Sequence, residues 1–414
     1  MVKIPRPEEP IHLKERWKEE LQRNRKIAIA SIKQGTWFTK PYWDSYKDVL
    51  KAQGVTWQDL MEAYGLCQYK FIKWIEGKMS WEKVISALEE QLNIKNGILQ
   101  THLRCNIMIG GLIKEVKTTH KIIIGDSRKM EEVEDGSVHL IVTSPPYPMI
   151  EMWDNLFRRI DERIDETWKK MEVETNKRRK EKYIRKIYYL MHENLVRVWK
   201  ECYRVLVEGG IACINIGDAT RKLNGTFRLF PNHAKIIEHF ERIGFVTLPY
   251  ILWKKPTNKP NAFLGSGFLP PNAYVTLDCE FILIFRKGEP RKFEPHDPLR
   301  YASAYTKEER DRWFTQIWEI TGTKQTINER RVAAFPEEIP YRLIRMFSII
   351  GDTVLDPFLG TGTTMKVAIN LNRNSIGYEI NEYLLPIIKE KVGITQKHLT
   401  SNYSIEIIKR RTPE

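Results

Sequence analysis

The chain has 414 residues, with 67 Lys and Arg against 53 Asp and Glu for a formal net charge of +14, and 42% of its residues are hydrophobic. That is enough apolar material for two or three cored domains and excludes a disordered chain, while the positive balance favours a polyanionic partner over an acidic one. Five cysteines (Cys67, Cys105, Cys202, Cys213, Cys279) without C-x-x-C spacing argue against zinc and against a disulfide framework, and no run approaches the roughly 20 apolar residues of a membrane helix.

Residues 1–115 read as an N-terminal helical module. Its start is polar and Pro-spotted, unlike a signal peptide. Within residues 41–98, Thr56 is placed to cap a helix with Asp59 at its third position, and Gly65 to end it. A second helix from Leu66 closes at Gly77, and a third covers residues 81–92. Short helix, Gly turn and basic second helix resemble a repressor-type helix-turn-helix, with Leu66, Phe71 and Trp74 as core contacts and Gln68, Lys70 and Lys73 toward DNA. An ordinary three-helix bundle without DNA contact fits the same residues.

From residue 116 to 414 strands and helices alternate, which predicts an α/β domain with a mostly parallel sheet. Strands are expected at residues 121–124, 138–142, 211–216, 281–285, 353–355 and 375–378. Helices are expected over 194–206, before Gly209-Gly210, and over 233–242, ending at Gly244. Residues 151–190 form a charged, helical insertion. Residues 255–330, rich in Pro, Asn and aromatics, are a candidate target-recognition region.

Two motifs carry chemistry. The apolar run 138–142 opens directly into Ser144-Pro145-Pro146-Tyr147. Two prolines can neither continue a ladder nor enter a helix interior, so the chain is held rigid between a hydroxyl and an aromatic ring. That is a grip for a flat heterocycle bearing an amino group. The second motif is a strand, a Gly-rich turn and a helix start over residues 354–364. Its glycines permit close approach of a ligand to the backbone. Glu379 lies 19 residues beyond Gly360 at the end of the next strand, a spacing that suits an acid on a ribose diol. With no Walker lysine an ATP site is not expected, and Asp356 would pair with the ammonium of an amino-acid-bearing sulfonium cofactor.

These segments resemble the S-adenosylmethionine-dependent DNA amino-methyltransferases. The string 356–364 is similar to the family's cofactor motif, and Gly125-Asp126 to its adenine-binding acid. Arg204-Val205-Leu206, Trp253-Lys254-Lys255-Pro256, and Phe335-Pro336 followed by Leu343-Ile344 resemble its remaining motifs; the likeness spans about residues 120–395. The catalytic tetrapeptide precedes the cofactor turn, which is the permuted beta arrangement. The resemblance implies a Rossmann-like, seven-stranded, mostly parallel sheet with one reversed strand. It assigns S-adenosyl-L-methionine to Asp126, Phe335, Asp356, Pro357, Phe358, Gly360, Thr361, Gly362, Thr363, Thr364 and Glu379. Catalysis falls to Ser144, Pro145, Pro146 and Tyr147. The Ser144 side chain and Pro145 carbonyl would accept the amine's hydrogens, and Tyr147 would stack on a base flipped out of double-stranded DNA.

In this family Ser at the first position goes with cytosine N4 and Asp with adenine N6. The expectation is therefore a cytosine-N4 methyltransferase of a restriction-modification system, cytoplasmic and monomeric, with a cognate endonuclease as its partner in function. Adenine-N6 methylation, methylation of structured RNA, and a non-catalytic DNA-binding regulator are the alternatives. His233 and His239 lack metal-ligand spacing, and Asp218 is expected to support the site without acting in it.

Overall fold

The computed structural model describes residues 9–52, 55–92, 116–256, 266, 270–294, 297–305, 307–322, 325–327, 330–332, 335–394 and 403–410. Cys105, residues 93–98 and parts of 255–330 lie outside them. The chain divides into two compact units, Met1–Gly111 and Leu112–Glu414. Among the described residues no helix is long and apolar enough to cross a membrane.

The first unit contains α1 (Ile11–Arg23), α2 (Arg25–Gln34), α3 (Thr36–Ala52), α4 (Trp57–Ile75) and α5 (Trp81–Gln91). Thr56 caps α4 as expected. Its hydroxyl accepts from the Asp59 backbone N–H at 3.2 Å, and the Asp59 carboxylate accepts from the Thr56 N–H at 2.7 Å. The helix does not stop at Gly65, however, so the helix-turn-helix break is corrected: residues 57–75 are one helix. Glycine costs about 1 kcal/mol in a helix interior. Here Ala63, Tyr64, Cys67, Phe71 and Trp74 make a continuous buried stripe across it, and their packing outweighs that cost. Leu66 is off the stripe and 65% exposed, not a core contact. The true stop is Gly77, at φ 75°, where the Lys78 N–H reaches back to the Lys73 carbonyl at 2.7 Å. Lys73 is exposed, Gln68 and Lys70 are half-buried, and both lysine ammoniums sit over the exposed Tyr69 ring.

The second unit begins with β1 (Thr118–Ile124), β2 (Val138–Thr143), α6 (Asp154–Ile160), α7 (Glu162–Val173), α8 (Lys177–Val205) and β3 (Leu206–Ile216). A hairpin of β4 (Ala219–Leu223) and β5 (Thr226–Phe230) leads to α9 (Asn232–Ile243), β6 (Phe245–Lys254) and β7 (Cys279–Lys287). Two short helices, α10 (Pro298–Ala302) and α11 (Lys307–Trp313), precede β8 (Ile317–Glu319) and a ribbon of β9 (Gln325–Ile327) and β10 (Arg330–Val332). The chain then forms α12 (Glu338–Phe347), β11 (Thr353–Asp356), α13 (Thr363–Asn370), β12 (Asn374–Glu379), α14 (Leu385–Lys391) and β13 (Tyr403–Lys409).

The main sheet has the order β13-β1-β12-β11-β2-β3-β7-β6-β8. Strand β7 runs antiparallel to both neighbours, and every other pairing in this sheet is parallel. The seven expected strands with one reversed form its centre, and β13 and β8 extend the two edges to nine. Side chains alternate between two helical layers. Ile141 and Leu355 pack with the long stripe of α8, including Met191, Leu195, Val198 and Trp199. Leu140, Val142 and Val354 pack with Ile339, Leu343 and Ile344 of α12 and with Val367 and Ala368 of α13. Strands β2 and β11 are therefore sandwiched at the centre, which fixes where their C-terminal ends open.

Candidate active site

Open parallel sheets bind ligands beyond the C-terminal ends of their strands. Strands β2 and β11 are paired neighbours, so the two sequence motifs leave the sheet side by side. Asp356, at the end of β11, ties them together. Its Oδ1 accepts from the Thr143 hydroxyl at 2.6 Å and from the Phe358 backbone N–H at 3.1 Å. Burial pushes the Asp356 carboxyl up to about 6. In the ligand-free structure Asp356 thus clamps the two loops to each other at the edge of the adjoining cavity.

The cavity measures about 790 Å³, within the range of small-molecule sites. Ser144, Pro145, Pro146 and Tyr147 line it, together with Gly125, Asp126, Phe335, Pro357, Phe358, Gly360 and Glu379. Thr361, Gly362, Thr363 and Thr364 do not. They hold the turn from behind: the Lys391 ammonium donates to the Thr361 and Thr363 hydroxyls at 2.9 and 2.6 Å, and Gly362 adopts φ 87°. In the ligand-free structure these contacts shape the turn that carries Gly360 to the cavity.

Glu379, at the end of β12, faces Gly360 across the turn. Its Oε2 accepts from the Gly360 N–H at 2.9 Å and its Oε1 from the Asn381 N–H at 2.7 Å. It is 9% exposed, and burial pushes its carboxyl up to about 7. Gly377 lets the motif loop lie against β12, since a Cβ there would stand 2.6 Å from the Leu359 side chain. Asp126, just past β1, is bound by Arg128, whose Nε and backbone N–H both donate at 2.8 Å. Arg128 in turn donates to Asn194 Oδ1 at 2.6 Å and to the Ile160 carbonyl at 3.1 Å, so the insertion helices α6 and α8 build this wall.

On the opposite wall the tetrapeptide joins a polar network. The Tyr147 hydroxyl donates to Glu280 Oε2 at 2.8 Å. Asn215 Nδ2 donates to both Tyr147 Oη and Glu280 Oε2 at 2.8 Å, and Ser144 Oγ lies 3.1 Å from Tyr147 Oη. The Lys255 ammonium pairs with the other Glu280 oxygen. Burial first, then the Glu280 charge, keeps the Tyr147 phenol protonated far above its usual range. Gly217, just past β3, gives the ring room: a Cβ there would lie 3.0 Å from it. Asn215 was visible in the sequence only as a polar residue inside an apolar strand, and Lys255 within the Trp253–Pro256 string. Glu280 carried no local signal.

Asp218 lies outside the cavity wall and accepts from His233, whose Nδ1 is 2.8 Å from both carboxylate oxygens. Among the described residues no group of three or more His, Cys, Asp or Glu could hold a metal.

The sequence profile of the N6_N4_Mtase family, described as DNA methylase, matches residues 138–390. The chain belongs to this family. It is 73% identical over 298 residues to the type II methyltransferase M.MjaI of Methanocaldococcus jannaschii, covering 72% of this chain and 98% of that protein. It is 48% identical over 303 residues to the type II methyltransferase M.MthZI of Methanothermobacter thermautotrophicus, covering 72% of this chain and 81% of the other. Among solved structures it resembles a Thermus thermophilus protein assigned as a DNA modification methylase and bound to S-adenosyl-L-methionine. The TM-score is 0.52 and the identity 31%, over 70% of this chain and 99% of that one.

This DNA methylase family uses S-adenosyl-L-methionine, and the cavity fits that group. Glu379 is a buried carboxylate whose oxygens each keep a lone pair for a diol, and Asp126 offers a second acceptor at the end of the neighbouring strand β1. Phe335, Pro357 and Phe358 supply apolar surface. The Asn215 Oδ1 atom is buried without a partner among the described residues, an acceptor that suits a ligand donor.

Proposed function

We propose that the protein is a type II DNA methyltransferase that modifies the exocyclic N4 amine of a cytosine flipped out of duplex DNA, as the protective half of a restriction-modification system. The observation that carries the cytosine reading is Ser144: a neutral hydroxyl at the head of the tetrapeptide, on the wall of the cavity that Glu379 also lines. Cytosine carries an acceptor, N3, beside its amine. A carboxylate there would set negative charge against N3, whereas a hydroxyl can accept from the amine without that repulsion.

The cofactor, when bound, supplies a methyl group on a sulfonium centre. The protein's part is positioning, which can account for much of the barrier in such a displacement. The amine is a poor nucleophile because its lone pair is delocalised into the ring. Hydrogen bonds from its two N–H groups to Ser144 Oγ and the Pro145 carbonyl would turn that lone pair out of conjugation. The buried Pro145 and Pro146 fix both acceptors, and the Tyr147 ring offers a stacking face. The released amine proton passes to solvent.

Tritiated S-adenosylmethionine should label DNA from cells lacking the modification. The same DNA treated first with protein and unlabelled cofactor should take up none. Label appearing only in structured RNA would overturn the DNA reading. In the same proposal the exposed Lys73, with Lys70 and Gln68 on α4, meets DNA phosphates. Removing residues 1–111 should then weaken duplex binding by at least about tenfold at physiological salt and leave cofactor affinity unchanged. Equal duplex affinity in a filter-binding or fluorescence titration would remove the N-terminal unit from DNA recognition.

A further inference from the structure

An acceptor role for Ser144 requires its own hydrogen to be out of the way. A serine hydroxyl rotates freely and can donate as readily as it accepts. If it donated to the target amine it would engage the lone pair that must attack, and if it donated to N3 it would pull the ring out of register. The structure contains a group that settles the direction. Glu280, on β7, is far in sequence from the tetrapeptide, yet its carboxylate is an acceptor only.

Each proton in the network then has one place to go. Lys255 holds one Glu280 oxygen, and the other, Oε2, receives the Tyr147 hydroxyl at 2.8 Å. Asn215 Nδ2 faces that same oxygen at 2.8 Å, which fixes the amide with its NH2 toward Glu280 and Tyr147. Tyr147 has one proton, and it is spent on Glu280. Its oxygen is left to accept, from Asn215 and from the remaining neighbour in the network, Ser144 at 3.1 Å. The Ser144 hydrogen therefore points to Tyr147, and its lone pairs face the cavity. Chains of this kind polarise along their length, so Ser144 Oγ becomes a stronger acceptor as positive charge develops on the amine.

We infer that Glu280 is a positioning residue for methyl transfer, acting through Tyr147 to hold the Ser144 hydroxyl as a pure acceptor toward the target amine. The neutral serine thereby borrows part of the anionic character that an aspartate at its position would supply, with the carboxylate two hydrogen bonds from the serine oxygen instead of beside the base. Tyr147 has a second duty besides stacking, which a phenylalanine could not perform. The inference rests on the proposed amine methylation but not on which base is the target.

The test is single-turnover methylation by the full chain with saturating duplex and S-adenosylmethionine, scoring whichever methylated base the unmutated protein makes. In Glu280→Gln the amide oxygen is drawn to Lys255, its NH2 faces Tyr147, and the chain reverses. The turnover rate should fall on the order of 10- to 100-fold, with duplex KM and cofactor Kd each within about threefold. Tyr147→Phe, which keeps the ring, should show a loss of the same size, so the idea stays testable if the Glu280 variant folds poorly. Adding Glu280→Gln to Tyr147→Phe should cost nothing more, because the link is already cut. Rates in Glu280→Gln within twofold of the unmutated protein, or losses that multiply in the double variant, would overturn the relay. If the unmutated protein methylates no nucleic acid, the proposed function fails and the relay with it, whereas an active protein indifferent to Glu280→Gln overturns the relay alone.

Discussion

Ser144→Ala is expected to lower the methylation rate by about a thousandfold or more, the scale reached when a preorganised polar group is deleted at a reacting centre. Cofactor affinity should stay within about twofold, since Glu379, Asp126 and the apolar wall are untouched. The size follows from the geometry. Prolines 145 and 146 are buried and rigid, so the backbone cannot shift to replace the lost acceptor, and water entering there could donate as well as accept. Duplex binding should persist, because Tyr147 and the basic surfaces remain. Calorimetry with S-adenosylmethionine and single-turnover labelling separate the two effects. A rate within tenfold of the unmutated protein would mean that Ser144 does not hold the amine.

Glu379→Gln is expected to act on affinity and stability in opposite directions. A charge-assisted hydrogen bond contributes about 1.5–3 kcal/mol, so losing the carboxylate should weaken cofactor binding by roughly 10- to 100-fold. The ligand-free fold, by contrast, holds that carboxylate at 9% exposure. Its pKa rises from 4.5 to about 7 on folding, with burial the largest cause. A raised folded pKa means that the folded state binds more protons than the unfolded one in this window. The associated stability is present below about pH 4.5 and is lost as pH rises through about 7. Asp356 adds a second loss of the same sign, from 3.8 to about 6. The melting temperature of the ligand-free protein should therefore carry a descending component between about pH 4 and pH 7. Glu379→Gln should flatten it and raise stability at pH 8 by on the order of 2–3 kcal/mol. Melts at several pH values with and without S-adenosylmethionine check both halves. A variant that loses stability at pH 8 without gaining any flatness would show that the two N–H bonds, not the buried charge, dominate at this residue.

How much of this could be read from the chain depended on whether a feature is local. Ser144–Tyr147, the Gly360 turn and Glu379 are contiguous motifs, and the sheet brings them to one cavity as expected. Strand β6 went unread because Pro249 and a register shift between Leu248 and Ile251 break its alternation. Gly65 does not break its helix, because the apolar stripe that continues past it outweighs one residue's backbone preference. Asp356, Thr361 and Thr363 carry the motif's identity, but their partners Thr143 and Lys391 lie far off in sequence and only the fold brings them together. Glu280 and Asn215 were invisible as partners of Tyr147, since antiparallel pairing of β7 with β3 is what brings them there.

The most direct measurement is nucleoside mass spectrometry on duplex DNA incubated with the protein and S-adenosylmethionine. N4-methylcytosine is the predicted product, and it should vanish with Ser144→Ala. N6-methyladenine would keep the fold, the family and the cofactor wall but contradict the reading of Ser144 as a mark of cytosine, and an unmodified digest from folded, cofactor-binding protein would contradict DNA methylation itself.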